Sequence, residues 1–275
     1  MSNLKGKSKL LTLAECSIMI SLATVLSMLK IFELPYGGSI TVAQMLPVAI
    51  IAYRHGSRTG FSAALVSSVL QMLLGLKNFS YFTSPISFVA LAVFDYVLAF
   101  GVFGIAGIFR KRIGSQSISI ATGALVASLL RYACHVISGA TVWAGLSIPT
   151  EAALIYSLSY NATYMIPETV ILTLTALYVG SAIDFTTRIP TRKRSEKLDT
   201  GTLWLYSGAG LSMLAGLITD TVLVFSKLQD AENGELVITN ITTVDLPIIL
   251  AVSAVSLCMA LALLLLARFR QKSKQ

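Results

Sequence analysis

Eight apolar runs, at about 10–32, 40–53, 59–76, 84–109, 117–145, 152–182, 203–226 and 245–267, confine most of the charge to the short segments between them. A bilayer crossing takes about 20 mostly apolar residues coiled as a helix, because lipid offers the backbone no hydrogen-bonding partner. The pattern predicts an all-α integral membrane protein. With 55% hydrophobic and 12% charged residues and a mean hydropathy of +0.77, the chain has about half the charge of an ordinary soluble domain. A soluble globule is excluded. The 275 residues leave room for on the order of eight spans and short connections, and none for an appended nucleotide-hydrolysing module. The second run is short and contains Pro47, so a kink or break is expected there.

The net charge of +8 suggests nucleic acid in a soluble protein, and cytoplasmic loops in a membrane protein. Position decides between them. If the N-terminus is cytoplasmic, Lys5, Lys7 and Lys9, Arg54 and Arg58, Arg110 to Arg112, Arg188 to Lys197, and Arg268 to Lys274 all fall inside. Of the 21 lysines and arginines, Lys30, Lys77 and Lys227 lie at outer ends and Arg131 within the fifth run. The positive-inside rule therefore places both termini in the cytoplasm of a multi-pass plasma-membrane protein and removes nucleic acid as a partner, leaving lipid around the helices. The basic start ahead of Leu10–Met28 is read as a first span, since no small-residue cleavage site follows it. Cys16, Cys134 and Cys258 are scattered through apolar runs and show neither a disulfide framework nor metal-ligand spacing.

Ionisable groups are costly inside a membrane, so the few that enter are functional candidates: Glu15, Asp95, Arg131, His135, Glu168 and Asp220. At about 1.5 Å per residue, Asp95, His135 and Asn161 lie about 16, 15 and 13 Å below the outer ends of their helices, a common depth reachable from outside. Tyr96, Trp143, Tyr156 and Tyr160 lie near that level. An acid among aromatic rings suits an organic cation, with the carboxylate as counter-charge, the rings as cation–π and stacking partners, and Asn161 reading a donor–acceptor edge. Arg131 and His135, four apart, share a helical face, and Gly139 and Ala140 permit close approach of a neighbour or ligand. No nucleophile–base pair, metal cluster or phosphate loop accompanies them, so a binding protein rather than an enzyme is expected.

Structural readings compete. Asp95 would serve equally as an ion-pair partner of Arg131, His135 as a satisfied core histidine, and Trp143 and Tyr156 as interfacial belt residues. Glu168, following Pro167, is expected to satisfy backbone groups that the proline frees. Asp220 reads as a partner for the main bundle or an exposed-end residue.

Five segments occur in one collinear order: Gly37-Gly-Ser-Ile-Thr leading to Met45-Leu-Pro47; Tyr53-Arg-His-Gly56; Phe94-Asp-Tyr-Val-Leu-Ala99; Arg131-Tyr-Ala-Cys-His135-Val-Ile-Ser-Gly139; and Tyr156-Ser-Leu-Ser-Tyr-Asn161 through Glu168. Together they resemble the thiamine-specific substrate-binding subunit (S component) of energy-coupling factor transporters, the ThiT or YuaJ family, over roughly residues 8–185. The resemblance implies a six-helix membrane protein that binds thiamine near its outer face and works with a transmembrane coupling subunit and two cytoplasmic ATPases. It implies no cofactor of its own, ATP being hydrolysed by the partners. Thiamine contacts carried over by position are Asp95, Tyr96, His135, Trp143, Tyr156 and Asn161. Asp95 would face the cationic and aminopyrimidine parts, His135 and Trp143 would stack on the rings, and Tyr156 and Asn161 would hydrogen-bond polar edges.

Three departures stand out. The family acid is commonly Glu, one methylene longer than Asp95. Some members carry a Trp before the second helix where this chain has Gly37-Gly38, so one aromatic wall must come from elsewhere or be missing. The first-helix alanine motif that docks on the coupling subunit appears as Ser17-x-x-x-Ser21, still compatible with close helix packing.

The expected organisation is a six-helix thiamine-binding unit over 1–185, a basic cytoplasmic linker over 186–202, and a two-helix transmembrane extension over 203–275. An S component for another vitamin, a stand-alone proton- or cation-coupled carrier and a lipid-modifying enzyme are the competing functions.

Overall fold

The computed structural model describes residues 2–193, 200–228 and 238–272. Two compact units divide at Lys193 and Arg194. Within the N-terminal unit, helix α1 (Ser2–Met28) leads into a hairpin of β1 (Lys30–Glu33) and β2 (Ser39–Thr41), then α2 (Leu46–His55) and α3 (Ser57–Leu74). A 3-10 turn over Leu76–Tyr81 precedes α4 (Pro85–Lys111), followed by α5 (Gln116–Thr141) and α6 (Glu151–Ala182). A two-residue ladder, β3 (Ile183–Asp184) with β4 (Thr191–Arg192), closes the unit.

Each of the eight apolar runs is mainly helical, the end of the first and the start of the second being strand, and among the described residues six helices are long and apolar enough to cross a membrane. The other two run on from each other. Pro47 sits in the first turn of α2, where its missing N–H costs nothing, and Gly56 at φ 87° separates α2 from α3 in a conformation that disfavours other residues. The expected helix over 40–53 therefore starts later, and its first residues pair as β2. Helix α2 spans only about 15 Å, half a bilayer core, but Leu46 through Arg54 are all buried. Apolar all round, it is the inner post of the bundle. Phe103, Ile51, Val48 and Ile120 pack there with almost no exposure. Small residues bring the helices close: a side chain on Gly107 would strike the Ala52 carbonyl, and one on Gly123 the Ala106 carbonyl.

Arg54, read as a loop charge, is instead buried at the end of α2. Its guanidinium pairs with Glu15 on α1 and donates to the carbonyls of Phe185, at 2.5 Å, and Thr187, at 3.2 Å. His55 lies 3.1 Å from the same Glu15. These contacts tie α1 and the segment after α6 to the core.

The C-terminal unit consists of α7 (Thr200–Leu228), a 3-10 turn over Ile238–Thr243 and α8 (Leu246–Lys272). The two helices meet along small polar residues: Ser212 donates to the Ser256 carbonyl at 3.0 Å and Gly216 faces Ser256. Asp220, expected to serve the main bundle or an exposed end, accepts from Ser253 of α8 at 2.6 Å. In hydrocarbon such interhelical hydrogen bonds contribute about 0.6 to 2 kcal/mol. Arg194, Glu196, Lys197 and Asp199 of the expected linker, and the acidic outer-loop residues Asp230, Glu232 and Glu235, lie outside the described residues.

Candidate ligand-binding site

A cavity of about 780 Å³ lies in the N-terminal unit, walled by the β1–β2 hairpin, α3 to α6 and the turns between them. That volume is typical of small-molecule sites. Asp95 is its polar centre. It sits in the one stretch of α4, Ala92–Leu98, that winds as a π-helix, a local widening common at functional sites. His135 Nδ1 is 2.9 Å from Asp95 Oδ1, while the Ser138 hydroxyl and the Trp143 indole N–H each donate to Oδ2 at 2.8 Å. His135 and Ser138 come from α5 and Trp143 from the turn after it.

A second, more buried polar cluster adjoins the first. Arg131 Nε donates to His135 Nε2 at 3.3 Å and its Nη1 lies 3.6 Å from Glu168 of α6. Because arginine only donates, His135 Nε2 is the acceptor here and Nδ1 carries the proton that faces Asp95. Glu168 also accepts from Thr41 at 2.9 Å and Gln44 at 3.0 Å. Its partners are thus side chains of the hairpin and the turn after it, rather than the backbone freed by Pro167. Asp95 does not pair with Arg131, which pairs with Glu168 instead. Arg131 thus pairs with Glu168 and leaves Asp95, among the described residues, with no arginine or lysine against it, while Lys30, Glu33 and Lys77 add their charges to the same lining.

Aromatic rings supply the remaining walls. Tyr156 stacks on Tyr160 with centroids 6.2 Å apart, and Tyr160 meets Tyr164 edge-on at 5.8 Å, a ladder at four-residue spacing along α6. Tyr36 packs edge-on against Trp143 at 6.1 Å and Tyr81 at 5.5 Å. Its backbone is left-handed, at φ 66°, a strained conformation for a large residue and one that clusters at ligand clamps. Tyr36 supplies the aromatic wall for which Gly37-Gly38 offers no side chain. At the mouth, hydrogen bonds from Lys77 at 2.5 Å and Lys30 at 2.9 Å hold the Glu33 carboxyl below the usual glutamate value.

The structure brings Asp95, Tyr96, His135, Trp143, Tyr156 and Asn161 onto one cavity. Tyr96 contributes as wall: it stacks between Phe79 and Phe100, and its hydroxyl donates to the Gly75 carbonyl at 3.2 Å. Asn161 spends its amide on Ser157 and the His135 carbonyl, and its Oδ1 accepts from Tyr164 at 2.7 Å. Ser17 and Ser21 lie apart, on the exposed face of α1, each hydroxyl bonded at 2.9 Å to a carbonyl of its own helix. Sequence reasoning passed over Tyr36, Tyr164, Gln71 and Asn78, which also line the cavity. A census of ionisable groups overlooks neutral amides, although Gln71 interrupts an apolar run; Tyr164 continues the spacing of Tyr156 and Tyr160. Among the described residues, no three His, Cys, Asp or Glu side chains converge as metal ligands.

Gly75 controls the Tyr96 wall. A methyl group there would strike the tyrosine hydroxyl and sit 3.2 Å from the Gln71 carbonyl. Gly75→Ala is expected to cost about 1 to 3 kcal/mol by overpacking, measured by thermal unfolding in detergent. Tyr96→Phe in the same chain should recover most of the loss.

A helical membrane bundle enclosing an aromatic-walled cavity with a carboxylate on its lining has the build of a membrane protein that binds a small molecule. Comparison with known proteins carries this further: the family described as thiamine transporter protein (Thia_YuaJ) matches residues 13–184, and the chain belongs to that family. The thiamine transporter ThiT of Bacillus subtilis (strain 168) is 32% identical over 174 residues, covering 59% of this chain and 86% of that protein. A solved structure of ThiT from Listeria monocytogenes has the same fold, with a TM-score of 0.51 at 23% identity over 62% of this chain and 94% of that one. The chain is a multi-pass membrane protein of a transporter family, and α7 and α8 lie outside the family match.

Proposed function

We propose that the chain binds thiamine from the outer side and acts as the substrate-binding subunit of an energy-coupling factor importer. The observation that carries the reading is Asp95, held by three donors beneath aromatic rings and, among the described residues, paired with no arginine or lysine. Thiamine bears one fixed positive charge and two flat rings. The cation balances the carboxylate, and Trp143, Tyr36 and the α6 tyrosines offer cation–π and stacking faces. Relatives named as thiamine transporters support the same ligand.

Transport then needs partners. Ser17 and Ser21 present a smooth, small-residue face of α1, free to lie close against a transmembrane coupling subunit, with two ATPases on the cytoplasmic side. The basic segments at both ends support cytoplasmic termini by the positive-inside rule. Lipid surrounds the exposed apolar faces.

Binding is tested on the purified protein carrying Trp204→Phe, which leaves Trp143 as the reporter. Thiamine is expected to quench its emission, and riboflavin, biotin and pantothenate are not. A silent thiamine titration would reject the ligand. Uptake in cells lacking the coupling subunit and ATPases is expected to be absent, and sustained accumulation there would instead support a stand-alone carrier.

A further inference from the structure

Gln71, in the last turn of α3, and Asn78, in the turn that follows, both face the cavity. Gln71 is 9% exposed. Among the described residues, its Nε2 has no acceptor, and the buried Oδ1 of Asn78 has no donor. Asn78 Nδ2 is occupied, donating to the Tyr96 hydroxyl at 3.1 Å. Buried polar atoms are nearly always paired, so an open donor and an open acceptor on two residues that line one cavity call for a group that answers both. Asn161, the amide expected to read the ligand, has its own donors satisfied by Ser157 and the His135 carbonyl. The unspent amide atoms are at the end of α3 and in the turn after it.

We propose that Gln71 and Asn78 form a second polar subsite that takes a hydroxyl group of the ligand. The Gln71 amide donates to the hydroxyl oxygen, and the Asn78 carbonyl accepts the hydroxyl proton. A hydroxyl suits the pair because a single oxygen both accepts and donates, whereas a carboxylate or an ether leaves Asn78 Oδ1 unpaired. The assignment rests on the thiamine reading and orients that ligand. Asp95 and the subsite line the same cavity, and the Tyr96 hydroxyl bonds Asn78, so the subsite lies at the far end of the side chain that follows Asp95 in the helix. Thiamine carries its hydroxyethyl arm on the cationic thiazolium ring, with the aminopyrimidine beyond a methylene bridge. With the thiazolium opposite Asp95, that arm is the part that reaches the far end of Tyr96. Gly75 supports the arrangement, since any side chain there would displace the Tyr96 hydroxyl that braces Asn78.

The test is calorimetry on the full-length protein with three probes: thiamine, the analogue with hydrogen in place of the hydroxyl, and the analogue with a 4′-oxo in place of the 4′-amino group. The unaltered protein is expected to prefer thiamine to the deoxy analogue about tenfold or more, as a site built to pair a hydroxyl rejects a ligand without one. Gln71→Met and Asn78→Leu should bring that ratio toward one while binding the deoxy analogue at least as tightly as the unaltered chain, which also shows them folded. Equal affinity of the unaltered protein for thiamine and the deoxy analogue overturns the subsite without any variant. So does a ratio that survives both substitutions, or variants that lose discrimination against the oxo analogue instead, which would put the pyrimidine edge at these amides. If the unaltered protein binds none of the three, the thiamine reading fails and the subsite with it.

Discussion

Asp95→Ala is expected to weaken thiamine binding at least tenfold, about 1.4 kcal/mol, in a protein that remains folded and monodisperse. Two losses add. The cation loses its counter-charge at a site whose other carboxylates are already paired, Glu168 with Arg131 and Glu33 with Lys30 and Lys77. The indole N–H of Trp143, the Ser138 hydroxyl and His135 Nδ1 lose the acceptor that aims them, so the stacking surface is loosened as well. Hydrogen bonds to charged groups contribute about 1.5 to 3 kcal/mol each, so a tenfold effect is the lower bound. His135→Ala is expected to act in the same direction, because it removes the link between Asp95 and Arg131. Calorimetry on both variants decides; unchanged affinity in either would remove Asp95 or His135 from the site.

The largest effect on stability is expected from Arg131→Met. Side chains of Arg131 and Glu168 are 8% and 5% exposed, and the guanidinium also lies 4.4 Å from the Phe100 ring centroid. Removing one partner of a buried ion pair leaves the other uncompensated and costs about 3 to 5 kcal/mol. Thr41 and Gln44 would still bond Glu168, but neither neutralises it. Adding Glu168→Gln should restore most of the loss, since the pair's charges then vanish together. Thermal unfolding in detergent measures both steps. A loss below about 1 kcal/mol for Arg131→Met would mean that the pair is not a charged, buried one.

How much of this was legible before folding depends on the range of each interaction. The apolar runs are local, and they were read almost intact; α2 began late because Pro47 and the pairing of β2 with β1 act against a plain hydropathy reading. Asp95, His135 and Asn161 were also legible, since equal depth in three helices brings them to one level whatever the details of packing. Their partners were not. The choice of Glu168 over Asp95 for Arg131 turns on a few ångströms of helix rotation, and Glu168 finds Thr41 and Gln44 because the hairpin folds onto α6. Tyr36 lines the cavity from a left-handed backbone, a state that residue type alone would not suggest.

By itself the sequence determined that this is a helical membrane protein, which charges enter the bilayer and which family it belongs to, because hydropathy, charge position and collinear motifs are properties of the chain. Tertiary structure decided how those charges pair, where the π-turn presents Asp95, and which amides remain open at Gln71 and Asn78. Hydrogen bonds and ion pairs act over about 3 Å, and only the packed helices bring distant residues within that reach.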